Sequence, residues 1–428
     1  MKNYAAVRKT SKSAVKRELL KSKTAGIFQG CRFLDAVNAF RSVPEPSRIN
    51  MKDVAAYLPV SSITHLHDAW RYLGTALRAL SHNDIGVCGH AAYYAELRAA
   101  MSFLAVNGIV TLRNSGYYLD ASGMVSLLYK GGGTHEAVWA ILKEFSKLPI
   151  GSSDKARIDK LICPGGRSLS DWVNAFSSGI GIANAFYARL LTCWTMDIGK
   201  YESDREARNK YSYGPTDLDN YMVFGREKLC AFLSTVWRMF EPDARGSFPS
   251  IDYYILLQTL RGLRNNLGLS FVEYKRRLLA MIHQLFPGTP NAMAYVRTIF
   301  SKRTLLPYSF DPSSGDATWP AGALHVEMLF RACFMLRAAT AACKELLSMA
   351  GMAKDFWWWE KDIQENRLMW QASVAGFQYQ DVWDDIKLSM ESLDSYAPRG
   401  AESWLMTEAE SLETLTQSEY MMLWGLGL

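Results

Sequence analysis

The sequence predicts a mainly α-helical fold, a multi-helix bundle with one small β-hairpin near residues 109–120. Three observations carry that prediction. Apolar side chains recur at three- and four-residue spacing through most of the chain. Cap-forming residues, glycines and prolines punctuate these stretches. With 49% hydrophobic and 12% aromatic side chains over 428 residues, core material is abundant and a disordered chain is excluded.

Taken in order, residues 1–25 carry a net charge of +7 and few large apolar side chains, so a flexible or partner-ordered basic arm is expected there. Ser61 or Ser62 can cap a helix through SSITHLHDAWRYLGTALRALSH, whose Leu66, Trp70, Leu73, Leu77 and Leu80 form one stripe. Gly86 and Gly89 should break it. The next helix, HAAYYAELRAAMSFLAVNG, repeats the spacing at Tyr94, Leu97, Met101 and Leu104 and closes at Gly108. GIVTLRNSGYYLD then shortens the apolar rhythm around a turn at Asn114–Gly116, the hairpin signal.

After Gly131–Gly133, Thr134 opens a helix through THEAVWAILKEFSKL, ended by Pro149. Helices are also expected over LSDWVNAFSS, GIANAFYARLLTCWTMDIGKYESDREARNK, DLDNYMVFGREKLCAFLSTVWRMF, DYYILLQTLRGLRNNL and SFVEYKRRLLAMIHQLF. TLLPYSFDPSSGDATWPAG reads as a long surface loop, and ALHVEMLFRACFMLRAATAACKELLSMAG as a long apolar helix. The expected units are the arm (1–25), an N-terminal lobe (26–150), a central lobe (151–305) and a C-terminal lobe with an acidic, Trp-rich segment (306–428). Helices on both sides of each division allow them to be lobes of one bundle.

Composition excludes several functional classes. No run of about 18 uncharged apolar residues occurs, the nearest being interrupted by Arg189, so no spanning helix and no membrane partner are expected. No apolar core follows the basic N-terminus, which argues against a secretory signal. The seven cysteines include no Cys-x-x-Cys pair, which argues against a zinc ribbon. Single cysteines in apolar stretches, such as Cys193 and Cys333, fit a reducing compartment, with the cytoplasm as default. Charge is asymmetric: the middle of the chain, 26–354, holds +9 and residues 355–428 hold −10. Arg8, Lys9, Lys12, Lys16 and Arg17 are therefore candidate phosphate-polymer contacts, which the acidic end would repel.

Two stretches carry a family resemblance. HAAYYAELRAAMSFLAVNGI (90–109), with paired Tyr93 and Tyr94 and small residues at helical spacing, and DREARNKYSYGPTDL, with Arg208-Asn209 followed by Ser212-Tyr213, resemble the HEPN superfamily of nucleotide-binding helical bundles. Together they cover under a tenth of the chain. The resemblance implies an antiparallel bundle that dimerises or pairs, in a group containing metal-independent ribonucleases and catalytically silent partners. The ribonucleases share an Arg, a polar residue and a His four to six positions after the Arg. This chain departs from that pattern, with Tyr211 and Tyr213 after Arg208-Asn209 and no His in sequence reach. A literal Arg-to-His spacing, Arg277 to His283, reads as a helix-face histidine.

Other constellations complete the candidate set. GGGTHEAVW presents His135 at a helix N-terminus able to receive an anion, without the Lys-Ser/Thr of a nucleoside-triphosphate loop. His65 and His67 point to different helix faces and cannot share a metal. Glu96 and Arg98, polar on an apolar helix, are expected to cluster with Arg208 and Asn209, since a buried carboxylate needs a partner. The candidate catalytic residues are Arg208, Asn209, Tyr213, Glu96 and His135; no cofactor or metal is expected. Trp357, Trp358 and Trp359 cannot all face one buried stripe, and with Trp424 they are candidate partner contacts, for a homo-oligomer or a complex; the apolar terminal YMMLWGLGL that carries Trp424 is expected to dock on the body or on a partner. The leading expectation is a structural or sensing component of a bacterial multi-protein system, in a setting such as phage defence. The alternatives are a metal-independent ribonuclease and a non-enzymatic nucleic-acid binder.

Overall fold

The computed structural model describes residues 3–24, 50–112, 114–148, 154–177, 190, 197–213, 226–243, 247–287, 324–352, 379–396 and 409–427. A 3-10 turn over Tyr4–Lys9 leads into α1 (Lys12–Thr24), which buries Val15 and Leu19. Lys12 is buried too, with its Nζ 2.8 Å from Glu345, and the Ser13 amide and hydroxyl donate to Asp154 at 2.8 and 2.6 Å. The expectation of a flexible arm is therefore corrected for residues 3–24. Two large apolar residues one turn apart suffice to seat the helix once Asp154 and Glu345 receive its polar groups.

α2 (Met51–Ser81) starts ten residues before Ser61, capped by Asn50, whose side chain accepts from the Lys52 amide at 3.0 Å. It continues through Pro59, so Ser61 and Ser62 are interior residues; their hydroxyls donate back to the carbonyls of Leu58 and Pro59. The helix ends before a turn in which Asn83 takes φ 57°. α3 (Ile85–Val106) follows, capped by Asp84 at the Val87 amide. Gly86 and Gly89 thus lie inside α3 and break nothing. Gly89 serves close approach instead, because a Cβ there would strike the ring of Tyr211.

The expected hairpin is present and extended by one strand. β1 (Ile109–Leu112), β2 (Ser115–Leu119) and β3 (Val125–Lys130) form an antiparallel sheet in that order, with Ile109 opposite Tyr118 and Leu119 opposite Val125. Asp120 makes the second turn by accepting from the Ser122 and Met124 amides. α4 (Thr134–Ser146), the single turn α5 (Ile158–Leu161) and α6 (Leu169–Ser177) come next. α7 (Tyr201–Tyr213) is separated from what precedes it by a 3-10 turn over Ile198–Lys200 and by Asp197 at φ 38°, so the helix expected to run through to residue 210 is interrupted there.

α8 (Arg226–Met239), α9 (Pro249–Asn266) and α10 (Phe271–Leu285) are followed by α11 (Leu324–Met349), α12 (Tyr379–Tyr396), α13 (Ala409–Leu415) and α14 (Glu419–Leu426). The protein is mainly helical. α3 lies against both α2 and α11, and α14 packs on α11 and α2. One contiguous core joins them, running across the divisions expected at 150 and 305. The Trp70 indole donates to Thr340 at 3.1 Å, and Trp424 meets Trp237 and Trp383 at 6.1 and 5.6 Å between centroids. With 2% exposure Trp424 is a core residue: the terminal segment docks on the body, the first of its two expected outcomes, and the reading of Trp424 as a partner contact is corrected. Trp357, Trp358 and Trp359 lie outside the described residues, as does Cys193. Among the described residues no helix is long and apolar enough to cross a membrane.

Candidate functional site

α3 is buried on every side but one. Its residues that reach water are Val87, His90, Tyr94 and Arg98, spaced by three and four so that they form one stripe. The chain places polar and aromatic chemistry on that stripe and small or apolar residues everywhere else on the helix, with Glu96 the exception. α2 supplies one bank of the resulting groove: Tyr72 stacks on Tyr94 at 5.3 Å, and Arg98 meets His65 at 3.0 Å and Asp68 at 3.7 Å.

α4 and α7 close the other bank. His135, in the first turn of α4, shares a 3.0 Å hydrogen bond with the Tyr93 hydroxyl and lies 5.8 Å from the Tyr94 ring centroid. His90 lies 4.9 Å from the same Tyr94 ring, and its Nδ1 is 2.6 Å from Ser212 Oγ on α7. One turn earlier on α7, the Arg208 guanidinium sits 5.6 Å from Tyr93 and 5.7 Å from Tyr94, in cation–π geometry. α7 can lie this close because Gly89 leaves room for Tyr211.

The electrostatics of the groove are one-sided around His135. Burial, then Arg208, Arg205 and Arg98, hold its imidazole below the usual range, and burial followed by Arg208 does the same for His90. Both rings are neutral at pH 7. Arg98 has Asp68, and Arg205 is ion-paired with Glu136. Arg208 meets the Tyr93 and Tyr94 rings and no carboxylate among the described residues, and its Nε is buried without an acceptor. Gly133, the cap residue of α4, provides no side-chain cap bond, so the first amides of that helix have no side-chain acceptor from their cap.

Of the residues singled out from sequence, Arg208 and His135 meet in this groove, and Asn209 is exposed beside them on α7. Tyr213 is the last residue of α7. Glu96 does not join Arg208; it is buried and turned toward Arg331 on α11, at 4.0 Å, with Asp204 on the same guanidinium at 2.7 Å. Arg98 lies two residues on, toward a different helix face, and so pairs across to α2. The single cluster expected of Glu96, Arg98, Arg208 and Asn209 is therefore two separate arrangements. Arg277 donates to Glu273 at 3.0 Å and His283 is exposed. Among the basic residues of the first segment Arg8, Lys9 and Arg17 are exposed and Lys16 is half-buried, whereas Lys12 is consumed by Glu345. The described residues contain no group of His, Cys, Asp and Glu fit to hold a metal.

Sequence reading missed His90, Tyr72, Asp204 and Arg331. His90 carried a signal, the four-residue polar repeat His90-Tyr94-Arg98 along an otherwise closed helix. Comparison of the chain with protein-family models, with curated proteins and with solved structures finds no match.

Proposed function

We propose that this chain is a helical sensing component of a bacterial multi-protein system, and that it recognises a phosphate-bearing ligand through Arg208, His135 and His90. The observation carrying the reading is a half-buried guanidinium with no carboxylate partner among the described residues, set between two neutral imidazoles and a helix N-terminus. An anion entering there gains charge-assisted hydrogen bonds, with no counter-ion to displace among the described residues. Tyr94 and Tyr72 offer aromatic surface beside it, which suits a nucleotide or a single strand of RNA. A setting in phage defence, and a protein partner or second copy, follow from the HEPN resemblance. Binding of a labelled single-stranded RNA in EDTA, measured over a salt series, tests the reading. Arg208→Ala should weaken binding about tenfold or more and flatten the salt slope; unchanged affinity would end it.

A second reading has one observation in its favour. The histidine absent after Arg208-Asn209 in sequence is supplied in space by α3 and α4. A neutral imidazole can take the proton of a ribose hydroxyl while Arg208 holds the phosphate charge, the division of labour of a metal-independent ribonuclease. RNA cut in EDTA by the native chain, and left intact by His135→Asn, would establish that activity. Intact RNA with the native chain leaves recognition alone.

A further inference from the structure

Three carboxylates crowd one buried guanidinium. Arg331 has Asp204 at 2.7 Å, Glu327 at 3.6 Å and Glu96 at 4.0 Å, and Lys200 reaches Glu327 at 3.0 Å and Asp197 at 4.0 Å. Lys200, Asp197 and Glu327 reach solvent, so at depth full ionisation would set the one Arg331 cation against Glu96 and Asp204, at 3% and 1% exposure. Excess negative charge at that depth is unfavourable, and the cluster relieves it by keeping a proton. Burial, opposed by Arg331 and reinforced by Asp204 and Asp197, pushes the Glu96 carboxyl up to about 8, and burial also raises Asp204. Glu96 Oε2 and Asp204 Oδ2 are both buried with no hydrogen-bond partner, which leaves room for the proton on either.

Asp204 and Arg208 stand one turn apart on α7, the first at the buried cluster and the second in the open groove. The rest of the seat of α7 is slight. Among the described residues its buried apolar side chains are Ala207 and Tyr211; the Asp204–Arg331 pair and the fit of Tyr211 over Gly89 hold its inner face, while Arg205–Glu136, Ser212–His90 and Tyr201 on Trp139 are part-exposed contacts. We propose that α7 is a proton-controlled latch on the Arg208 groove: it stays seated while the Glu96–Asp204 pair retains a proton and loosens when that proton is lost. Only its consequence for ligand rests on the phosphate-recognition reading.

The direction follows from linkage. In the seated state the pair holds its proton more tightly than in the released state, where water reaches the carboxylates and they return to the ordinary range. Seating is firmest in acid, weakens about tenfold per pH unit for one proton, and levels off above about pH 8. Other groups face the cluster: Tyr93 on α3, whose own ionisation is pushed well above that window, Lys200 beside Glu327 and Asp197, and Arg331, whose ionisation its carboxylate neighbours push further up. On the groove side His90 and His135 change charge below the window. An anion on Arg208 favours the seated helix, so its affinity falls over the same range.

The experiment is hydrogen exchange of the α7 amides in the full-length, ligand-free chain from about pH 6.5 to 9.5, above imidazole titration and corrected for intrinsic exchange. Opening of α7 should rise about tenfold per unit and then level near pH 8, with α2 and α3 steady. Glu96→Gln, an amide in place of the protonated carboxyl, should keep α7 seated and abolish the rise. Should that variant fail to fold, Asp204→Asn must abolish the same rise. A pH-independent native α7, or an undiminished rise in the variant that folds, overturns the latch. RNA affinity falling over this window in the native chain and flat in Glu96→Gln would extend the latch to ligand. A responsive α7 in a chain that binds no RNA would sink the ligand reading and leave the latch standing.

Discussion

Gly89 shows how one residue sets the geometry of the groove. It is followed on α3 by His90 and covered by the ring of Tyr211, so the spacing between α3 and α7 is the thickness of an aromatic ring against bare backbone. Gly89→Ala should therefore cost about 1–3 kcal/mol through overpacking. The loss should concentrate in α7, read as faster proteolysis after Arg205, Arg208 or Lys210 with the far-ultraviolet spectrum preserved. A variant as resistant as the native chain would mean that α7 is not held by this fit. The sequence marked Gly89 as special but for the wrong reason, as a breaker, because the ring that requires it comes from far along the chain.

Helix pairing here combines apolar surface with a few deeply buried ion pairs, and these differ from surface pairs in consequence. Arg337 on α11 meets Asp252 on α9 with two hydrogen bonds of 2.7 and 2.8 Å, both side chains sealed from water. Arg337→Met should destabilise the protein by about 3–5 kcal/mol, because Asp252 is left as an uncompensated buried charge. Adding Asp252→Leu should recover much of that loss; chemical denaturation of both variants checks it, and a double variant no better than the single one would refute the account. Arg331 obeys the same rule with more carboxylates than one cation can balance, and a proton makes up the difference. From sequence, the need of Glu96 for a cation was evident, but its choice of Arg331 over Arg208 depends on which helix lies against which face of α3.

The described residues share one core, and Trp424 lies within it against Trp237 and Trp383. α14 closes over α2 and α11, while α1 reaches α11 through the Lys12–Glu345 pair, so both ends of the described chain bear on the same central helices. Unfolding should accordingly follow a single transition, with tryptophan fluorescence and circular dichroism coinciding. Trp424→Ala should lower stability by about 3–5 kcal/mol and move both signals together. Two separated transitions, with the terminal region melting first, would restore the picture of independent lobes.

Local pattern alone determined the class of the fold, most helix positions and the first hairpin, because the three-to-four periodicity and turn residues act over a few neighbours; it also carried the unread signal of the polar stripe on α3. Tertiary structure decided what the stripe faces. His135, Arg208 and Arg331 come from three distant segments, and only packing could set two imidazoles beside the Arg208 guanidinium and turn Glu96 away from it. It also decided that the basic first segment is a docked helix, since its partners Asp154 and Glu345 lie far from it in sequence. Burial and charge pairing are properties of surfaces brought together, and no single stretch of this chain contains both surfaces.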